Sequence, residues 1–402
     1  MTRICKTSVI ALLGFLFWIH PADAQVFLGP ESVGLAQTYA TQSRGSGAIG
    51  WNVANLGYPD NPGFSLRFGI LPLVPFPNMQ MMNSSVSFAW FNRYFTNGGT
   101  LTASDKSELL SVFPNSGWDM SPEVNAKLFG MSFGRTAVAL EANVQGRLVL
   151  PKSLLRFLFY GNEFNKPVSL DDLESEAQAV GALSFARAYP VRLPYLSDIA
   201  EETYVGGGVK ALIGLGYGGT ESATGSITMH PDRAVVEGSA KARYAVGGYG
   251  LAFDAGLSAQ ISPRLRAGLS FNNLFGFLNW TDQYANETFE YEIHLDSDTL
   301  DFFDDDFDED QMFEDAVKVD TSYEGSSFRT PYPAYMILGG QYELTRNLSI
   351  SLNYKQGFSN RFNVTTRPRL SLASELRPTG WFAWRAGIAV GGNERLLLAT
   401  GI

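Results

Sequence analysis

Between Thr136 and Leu150 the chain reads T-A-V-A-L-E-A-N-V-Q-G-R-L-V-L. Val138, Leu140, Ala142, Val144, Gly146, Leu148 and Leu150 form one row, and Ala139, Glu141, Asn143, Gln145, Arg147 and Val149 form the other. Successive side chains of a strand point to opposite faces, so one face here is apolar and the other polar. An ordinary strand has about five or six residues. This one is longer, and the bilayer-crossing strand of a barrel needs about 9–11 tilted residues.

The alternation recurs. Tyr249, Leu251, Phe253, Ala255, Leu257, Ala259 and Ile261 share a row, opposed by Asp254, Ser258 and Gln260 among small residues. Leu265, Ala267, Leu269 and Phe271 oppose Arg266, Gly268 and Ser270, and Leu348 to Tyr354 opposes Ser349 to Lys355. From Val205 to Tyr217 one row holds only Val, Ala, Ile, Leu, Gly and Tyr, and Lys210 sits on the other. No charge falls on an apolar row in these segments. A Lys or Arg facing lipid at the bilayer midplane costs about 2–4 kcal/mol, which explains the exclusion. A soluble all-β sandwich also keeps charge from its core, but strand length and an export signal favour a membrane barrel.

Fifteen strand candidates follow: 64–71, 84–95, 126–133, 136–150, 178–188, 203–217, 222–230, 234–246, 249–261, 265–274, 334–344, 348–355, 369–377, 381–390 and 395–402. Bacterial single-chain barrels have an even strand number, so one candidate is surplus or one strand is missing. The expected fold is all-β, an antiparallel transmembrane β-barrel of about 14 strands. Thr102 with Asp105 predicts a capped helix through Val112, and Lys152 to Tyr160 has helical apolar spacing after Pro151.

Residues 1–24 read as a signal peptide: basic Arg3 and Lys6, apolar 9–19, and Ala22-Asp23-Ala24 before the cut. Residues 25–62, rich in Gly, Ala and Asn with little alternation, are expected to form a plug or hatch in the barrel of 63–402. The only cysteine, Cys5, lies in the signal, so disulfides and thiol chemistry are excluded from the exported chain.

The net charge of -10 is localised: Asp296 to Asp315 holds nine Asp and two Glu without a base. No basic patch supports nucleic-acid binding. Periplasmic turns are short and extracellular loops long. Gly134-Arg135, Ser262-Pro263 and Thr345-Arg346-Asn347 are therefore expected in the periplasm, and 151–177 and the acidic connection 275–333 outside. A turn at Gly247-Gly248 would violate the length rule.

Asp304, Asp306, Asp308 and Asp315 offer Ca²⁺ hard oxygen ligands, but Glu309 stands where an EF-type loop needs glycine. A solvated acidic loop is the simpler reading. Its interleaved Phe302, Phe303, Phe307 and Phe313 suggest a docking surface for a protein partner. His230 and His294 have no supporting motif, so no catalytic site is expected, nor any cofactor. On the inward rows stand Glu141, Arg147, Lys210, Asp254, Arg266, Glu343, Lys355 and Arg385. Their mixed signs fit pairing across the wall better than an ion-selective ring. The Gly206-Gly207-Gly208 run lacks the Lys-Ser/Thr of a phosphate loop and suits wall curvature or close approach of the plug. Trp90, Tyr94, Phe95, Trp280, Tyr284, Tyr332, Tyr335, Trp381 and Trp384 sit near predicted strand ends, where barrels carry aromatic girdles.

The segment E-S-V-G-L-A-Q-T-Y-A-T-Q-S-R-G-S-G-A-I-G-W-N-V-A-N-L-G (31–57) resembles the N-terminal hatch of the FadL-type long-chain fatty-acid transporter superfamily, and a Bacteroidetes-type branch of it most closely. L-T-A-S-D-K-S-E-L-L (101–110), L-P-K-S-L-L-R-F-L-F-Y-G-N (150–162) and the pair G-L-A-F-D-A-G-L-S-A-Q with L-R-A-G-L-S-F-N-N-L within 250–274 extend the likeness. Trp51, Asn52 and Ala54 match the hatch motif; Val53 stands where such hatches often carry proline. The resemblance implies a plugged barrel in the bacterial outer membrane, in contact with lipid and inserted by the barrel-assembly machinery. It implies passive uptake of hydrophobic or small solutes. The alternative is a non-transporting interaction or secretion-accessory protein, like the type IX shuttle branch, working through its extracellular loops. The last residues, Leu396 to Ile402, lack the usual final aromatic, so a further C-terminal segment is expected.

Overall fold

The computed structural model describes residues 30–402 apart from 69, 72–73, 76–77, 84, 87–91, 94–100, 162–163, 172, 197, 232–233 and 298–316. The expected signal peptide 1–24, Trp90, Tyr94, Phe95 and the aspartates 304, 306, 308 and 315 lie outside the described residues, as does most of candidate strand 84–95.

Twelve strands pair in sequence order, each antiparallel to the next. They are β1 (Phe64–Phe68), β2 (Trp118–Phe133), β3 (Thr136–Leu150), β4 (Glu174–Val191), β5 (Glu202–Met229), β6 (Ala234–Ser262), β7 (Leu265–Ser297), β8 (Tyr335–Thr345), β9 (Leu348–Gly357), β10 (Arg369–Thr379), β11 (Phe382–Gly391) and β12 (Glu394–Gly401). The short strands Asn78–Asn83, Pro167–Ser169, Val317–Glu324 and Phe328–Pro331 add to this path, making sixteen described strands in one sheet. Helix α1 spans Pro30–Gly34, α2 Ala103–Val112 and α3 Lys152–Tyr160. Thr102 and Asp105 form both bonds of a capping box at the start of α2, and α3 packs Leu155 on Leu109 and Phe113.

The apolar rows face out. Leu352, Leu372, Ile388 and Leu398 stand opposite one another across β9 to β12, and all four are exposed. Leu140 is 40% exposed while its chain neighbour Glu141 is 1% exposed. Among the described residues, nothing covers Leu352, Leu372, Ile388 or Leu398.

Four strand candidates merge into two strands. Residues 203–217 and 222–230 are both part of β5, and 234–246 and 249–261 are both part of β6. Gly247-Gly248 is not a turn. Gly247 takes a φ of 81° where the register against β7 shifts between Val246 and Gly248. A paired glycine reads locally as a turn, but here it relieves a bulge in a continuous strand. With it gone, the ends alternate. Turns 134–135, 263–264, 346–347 and 380–381 share one end, and the C-terminal ends of β3, β7 and β9 share the other.

The connection expected over 275–333 is instead largely strand: β7 runs to Ser297, and Val317–Glu324 and Phe328–Pro331 pair back on it. Strands β5, β6 and β7 have 28, 29 and 33 residues, whereas β8 to β12 have 8 to 11. At about 3.3 Å per residue the long strands reach roughly 90–110 Å, far beyond a hydrocarbon core about 30 Å thick. Their far halves project past the short strands and lead into the acidic segment.

Residues 31–58 lie on the inner face, nearly all buried. Helix α1 rests on β11 and β12, the turn Gly45–Ala48 on β1, β2 and β3, and the turn Val53–Gly57 on β4, β5 and β6. Ser270 of β7 donates to the Trp51 carbonyl and Tyr335 of β8 to the Gly50 carbonyl. Asn353 of β9 donates to Gln37 and Arg369 of β10 to Ala36. All twelve labelled strands touch this one segment, so the sheet curves around it.

Inward glycines permit the contact. A Cβ on Gly206 would stand 2.5 Å from the Ala54 nitrogen, while one on Gly207 meets nothing. Gly206→Val is expected to lower stability by about 1–3 kcal/mol through overpacking, and Gly207→Ala to change it by less than about 0.5 kcal/mol. Urea midpoints in detergent micelles check both.

Candidate functional site

The inner face is organised in tiers. Lys127 and Glu141 lie opposite each other on β2 and β3 and pair at 2.9 Å, and the Lys127 ammonium also donates to the Ser46 carbonyl at 3.2 Å. Arg147 pairs with Asp119 at 3.2 Å and Glu174 at 2.9 Å. Arg385 holds Glu375 at 2.6 Å, and Arg369 holds Glu394 at 2.9 Å. Lys355 lies over the Tyr335 ring, 4.6 Å from its centroid. Glu343 is half-buried at the end of β8, its backbone N–H bound to the Arg264 carbonyl.

The most buried pair is Lys210 with Asp254, at 3.0 Å. Lys210 also donates to Asn273 Oδ1 at 2.6 Å, and Asp254 accepts from the Asn273 N–H at 2.9 Å. Asn273 has a φ of 59°, so this triad closes on a distorted point of β7.

The hatch motif is hydrogen-bonded to the wall. Asn52 donates to the Leu257 carbonyl at 3.1 Å and Ser258 Oγ at 3.0 Å, and accepts from Ala54 N–H at 3.0 Å. Ser258 donates onward to Asn55 Oδ1 at 2.6 Å. Ala54 occupies the space left by Gly206. Trp51 meets Tyr39 edge-on at 5.7 Å. Val53, in place of proline, packs with Ala137, Ala139, Ala186 and Ala188.

At the short-turn end, Arg266 and Arg44 both hold Asp60, each at 2.9 Å, and both stack on Tyr58. Partial burial opposes ionisation of Asp60, but the two guanidinium groups outweigh it and hold the carboxyl below its ordinary 3.8. A depressed carboxylate stabilises the fold fully above its unfolded value and loses that contribution as pH falls through the folded one. Asp60→Asn is therefore expected to flatten the acid side of the stability profile below about pH 4, leaving the rest of its shape unchanged. The effect is small because Asp60 is half exposed. Urea midpoints across the acid range measure it.

Three of the expected girdle residues turn inward instead. Trp280, Tyr332 and Tyr335 are buried. Gly214 and Gly248 make room for the Trp280 indole, which an added Cβ on either would meet. Trp280 donates to Thr330 Oγ1 at 2.9 Å, and Thr330 donates to Gln178 at 3.3 Å. Trp381 and Trp384 do face outward.

Two features were not foreseen. Residues 358–368, between β9 and β10, fold inward to β4. Arg361 binds Glu176 at 2.6–2.9 Å, and the Phe362 N–H donates to the same carboxylate at 2.9 Å. Phe362 is fully buried at a φ of 52°, and Val364 packs on Ala40, Trp51, Tyr335 and Ile337. Beside this contact lies a cluster of buried amides: Asn125, Asn143, Gln145 and Gln178. Both polar atoms of Asn125 lack a partner, as do Asn143 Oδ1, Gln145 Nε2 and Gln178 Nε2. An unpartnered buried polar group costs about 1–3 kcal/mol. Asn143 and Gln145 stood on the polar row of the sequence, but only the fold brings Asn125 and Gln178 beside them.

The model of a family described as a family of unknown function, DUF5723, matches residues 61–246 and again 239–396. The chain belongs to this family. The DUF5723 match includes the amide cluster and the inward loop and begins just after the enclosed segment 31–58. No curated protein matches the chain. Among solved structures it is similar to the Ralstonia pickettii toluene transporter TbuX, at 15% identity over 92% of this chain and 87% of that one, with a TM-score of 0.46. It is similar to the CymD monoaromatic hydrocarbon channel, at 14% identity over 90% and 83%, with a TM-score of 0.45. A Pseudomonas aeruginosa FadL homologue is similar at 10% identity over 94% and 91%, with a TM-score of 0.34.

Proposed function

We propose that this chain is a bacterial outer-membrane β-barrel through which small solutes pass passively. Residues 1–24 are its export signal, 25–62 its hatch, and 63–402 its barrel, with the acidic segment on the outer side. One observation carries the membrane assignment: a continuous row of aliphatic side chains, Leu352, Leu372, Ile388 and Leu398, is exposed on the outside, while charges and amides are buried inside. Water is a poor solvent for that outer row and lipid a good one.

The inner face is lined by amides and charges at the level of Gln178, which supports a polar solute over a hydrophobic one. A second reading also has support. The enclosed segment and the loop 358–368 both occupy the interior, which favours an interaction or secretion-accessory protein that conducts nothing and works through its projecting strands. Purified protein should need detergent and migrate faster unheated than boiled. Reconstituted into liposomes, it should admit a neutral sugar once the loop is released from Glu176. A folded, released protein that admits no solute favours the interaction reading.

A further inference from the structure

On the reading of the interior as a solute path, we propose that the amide cluster of Asn125, Asn143, Gln145 and Gln178 with Glu123 is a binding site for a small uncharged polyhydroxylated solute, roofed by the loop 358–368.

The strand register places the site. Along a strand, every second residue returns to the same face. Lys127 and Glu141 form one inner tier, Asn125 and Asn143 the next, Glu123, Gln145 and Gln178 the next, and Arg147 and Glu176 the one beyond. The first tier touches the enclosed segment through Lys127 and Ser46. The last is covered by Arg361 and Phe362. The amides therefore occupy two tiers with the enclosed segment as floor and the loop as lid.

The chemistry of these two tiers differs from their neighbours. The flanking tiers are matched ion pairs, Lys127 with Glu141 on one side and Arg147 with Asp119 and Glu174 on the other. Between them stand neutral amides, of which Asn143 donates to Glu123 at 3.1 Å. Their unpartnered atoms include donors and acceptors, and turning Asn125 over merely exchanges the two. A hydroxyl both donates and accepts, so a polyol satisfies such a set. An apolar guest leaves every one of these atoms unpartnered, and an anion leaves the acceptors facing its charge. Release of Arg361 from Glu176 uncovers the site.

The test uses the full chain in liposomes, with swelling followed in glucose and in potassium gluconate, valinomycin carrying the cation. Arg361→Ala is expected to admit glucose faster than the unaltered chain and to prefer it to gluconate. Adding Asn125→Leu and Gln178→Leu should reduce that preference about tenfold, as expected for the loss of one or two hydrogen bonds. Unheated mobility confirms that each variant is folded, and Gln178→Asn serves as the milder variant if the leucine pair is not. Equal passage of gluconate and glucose through Arg361→Ala would overturn the proposal, as would a preference that survives the loss of the amides. Either result leaves the solute path standing. If folded Arg361→Ala and Glu176→Ala admit neither solute, the path itself is refuted and the binding site with it.

Discussion

Replacing Lys210 with methionine is expected to lower stability by about 3–5 kcal/mol, because it leaves the Asp254 carboxylate buried without its cation. Both side chains are almost wholly buried, at 1% and 2% exposure. The pair also joins three strands: Lys210 belongs to β5, Asp254 to β6, and Asn273, which both contact, to β7. The loss therefore reaches beyond one contact to the point where β7 departs from regular geometry. Asp254→Asn should also destabilise, since it leaves the ammonium unpaired. A double replacement, Lys210→Met with Asp254→Leu, removes both charges and should recover part of the loss. Recovery stays incomplete because Asn273 keeps a backbone N–H and a side-chain oxygen without partners, at about 1–3 kcal/mol each. Urea unfolding of the protein in phospholipid vesicles, followed by tryptophan emission, measures the series. A double variant as unstable as the single would contradict the paired-charge account.

Leu372→Arg is expected to cost about 2–4 kcal/mol, the penalty for a cation on the lipid face near the midplane. Leu372 stands in the middle of the outward aliphatic ladder, opposite Leu352 and Ile388. On a water-facing surface the same change would cost less than about 0.5 kcal/mol, because an exposed leucine makes few contacts to lose. The two environments thus differ several-fold in the expected loss. Folding yield into vesicles and the urea midpoint both report it, and a neutral outcome would place Leu372 in water.

The face assignment was legible because a strand's side-chain period is fixed by backbone geometry. Glu141 and Leu140 are chain neighbours, and the strand sends them to opposite sides. The strand ends were less legible. Gly247-Gly248 carries the signature of a tight turn, and only pairing with β5 and β7 shows a bulge there. In β7 beyond Thr288, Glu290, Glu292 and Asp296 fall on one row of an alternation whose other row holds Phe289, Tyr291 and Ile293. The acid content suggested a loop, whereas the alternation reflects a strand. The inward turn of Trp280 depends on the missing side chains of Gly214 and Gly248, residues 66 and 32 positions away in the chain. The latch between Arg361 and Glu176 spans 185 positions, and no local pattern marks either end. The same holds for the amide site, whose members come from three strands.

Residues 25–402 contain no cysteine, so single labels are straightforward to introduce at chosen positions. Spin labels at Leu352→Cys, Leu372→Cys and Ile388→Cys, with the protein in lipid vesicles, test the central claim most directly. The orientation described here predicts that dissolved oxygen, concentrated in the lipid, relaxes all three labels strongly and that a water-soluble nickel chelate scarcely affects them. Strong relaxation of these labels by the nickel chelate would mean that the aliphatic ladder faces water, and the membrane-barrel account would be contradicted.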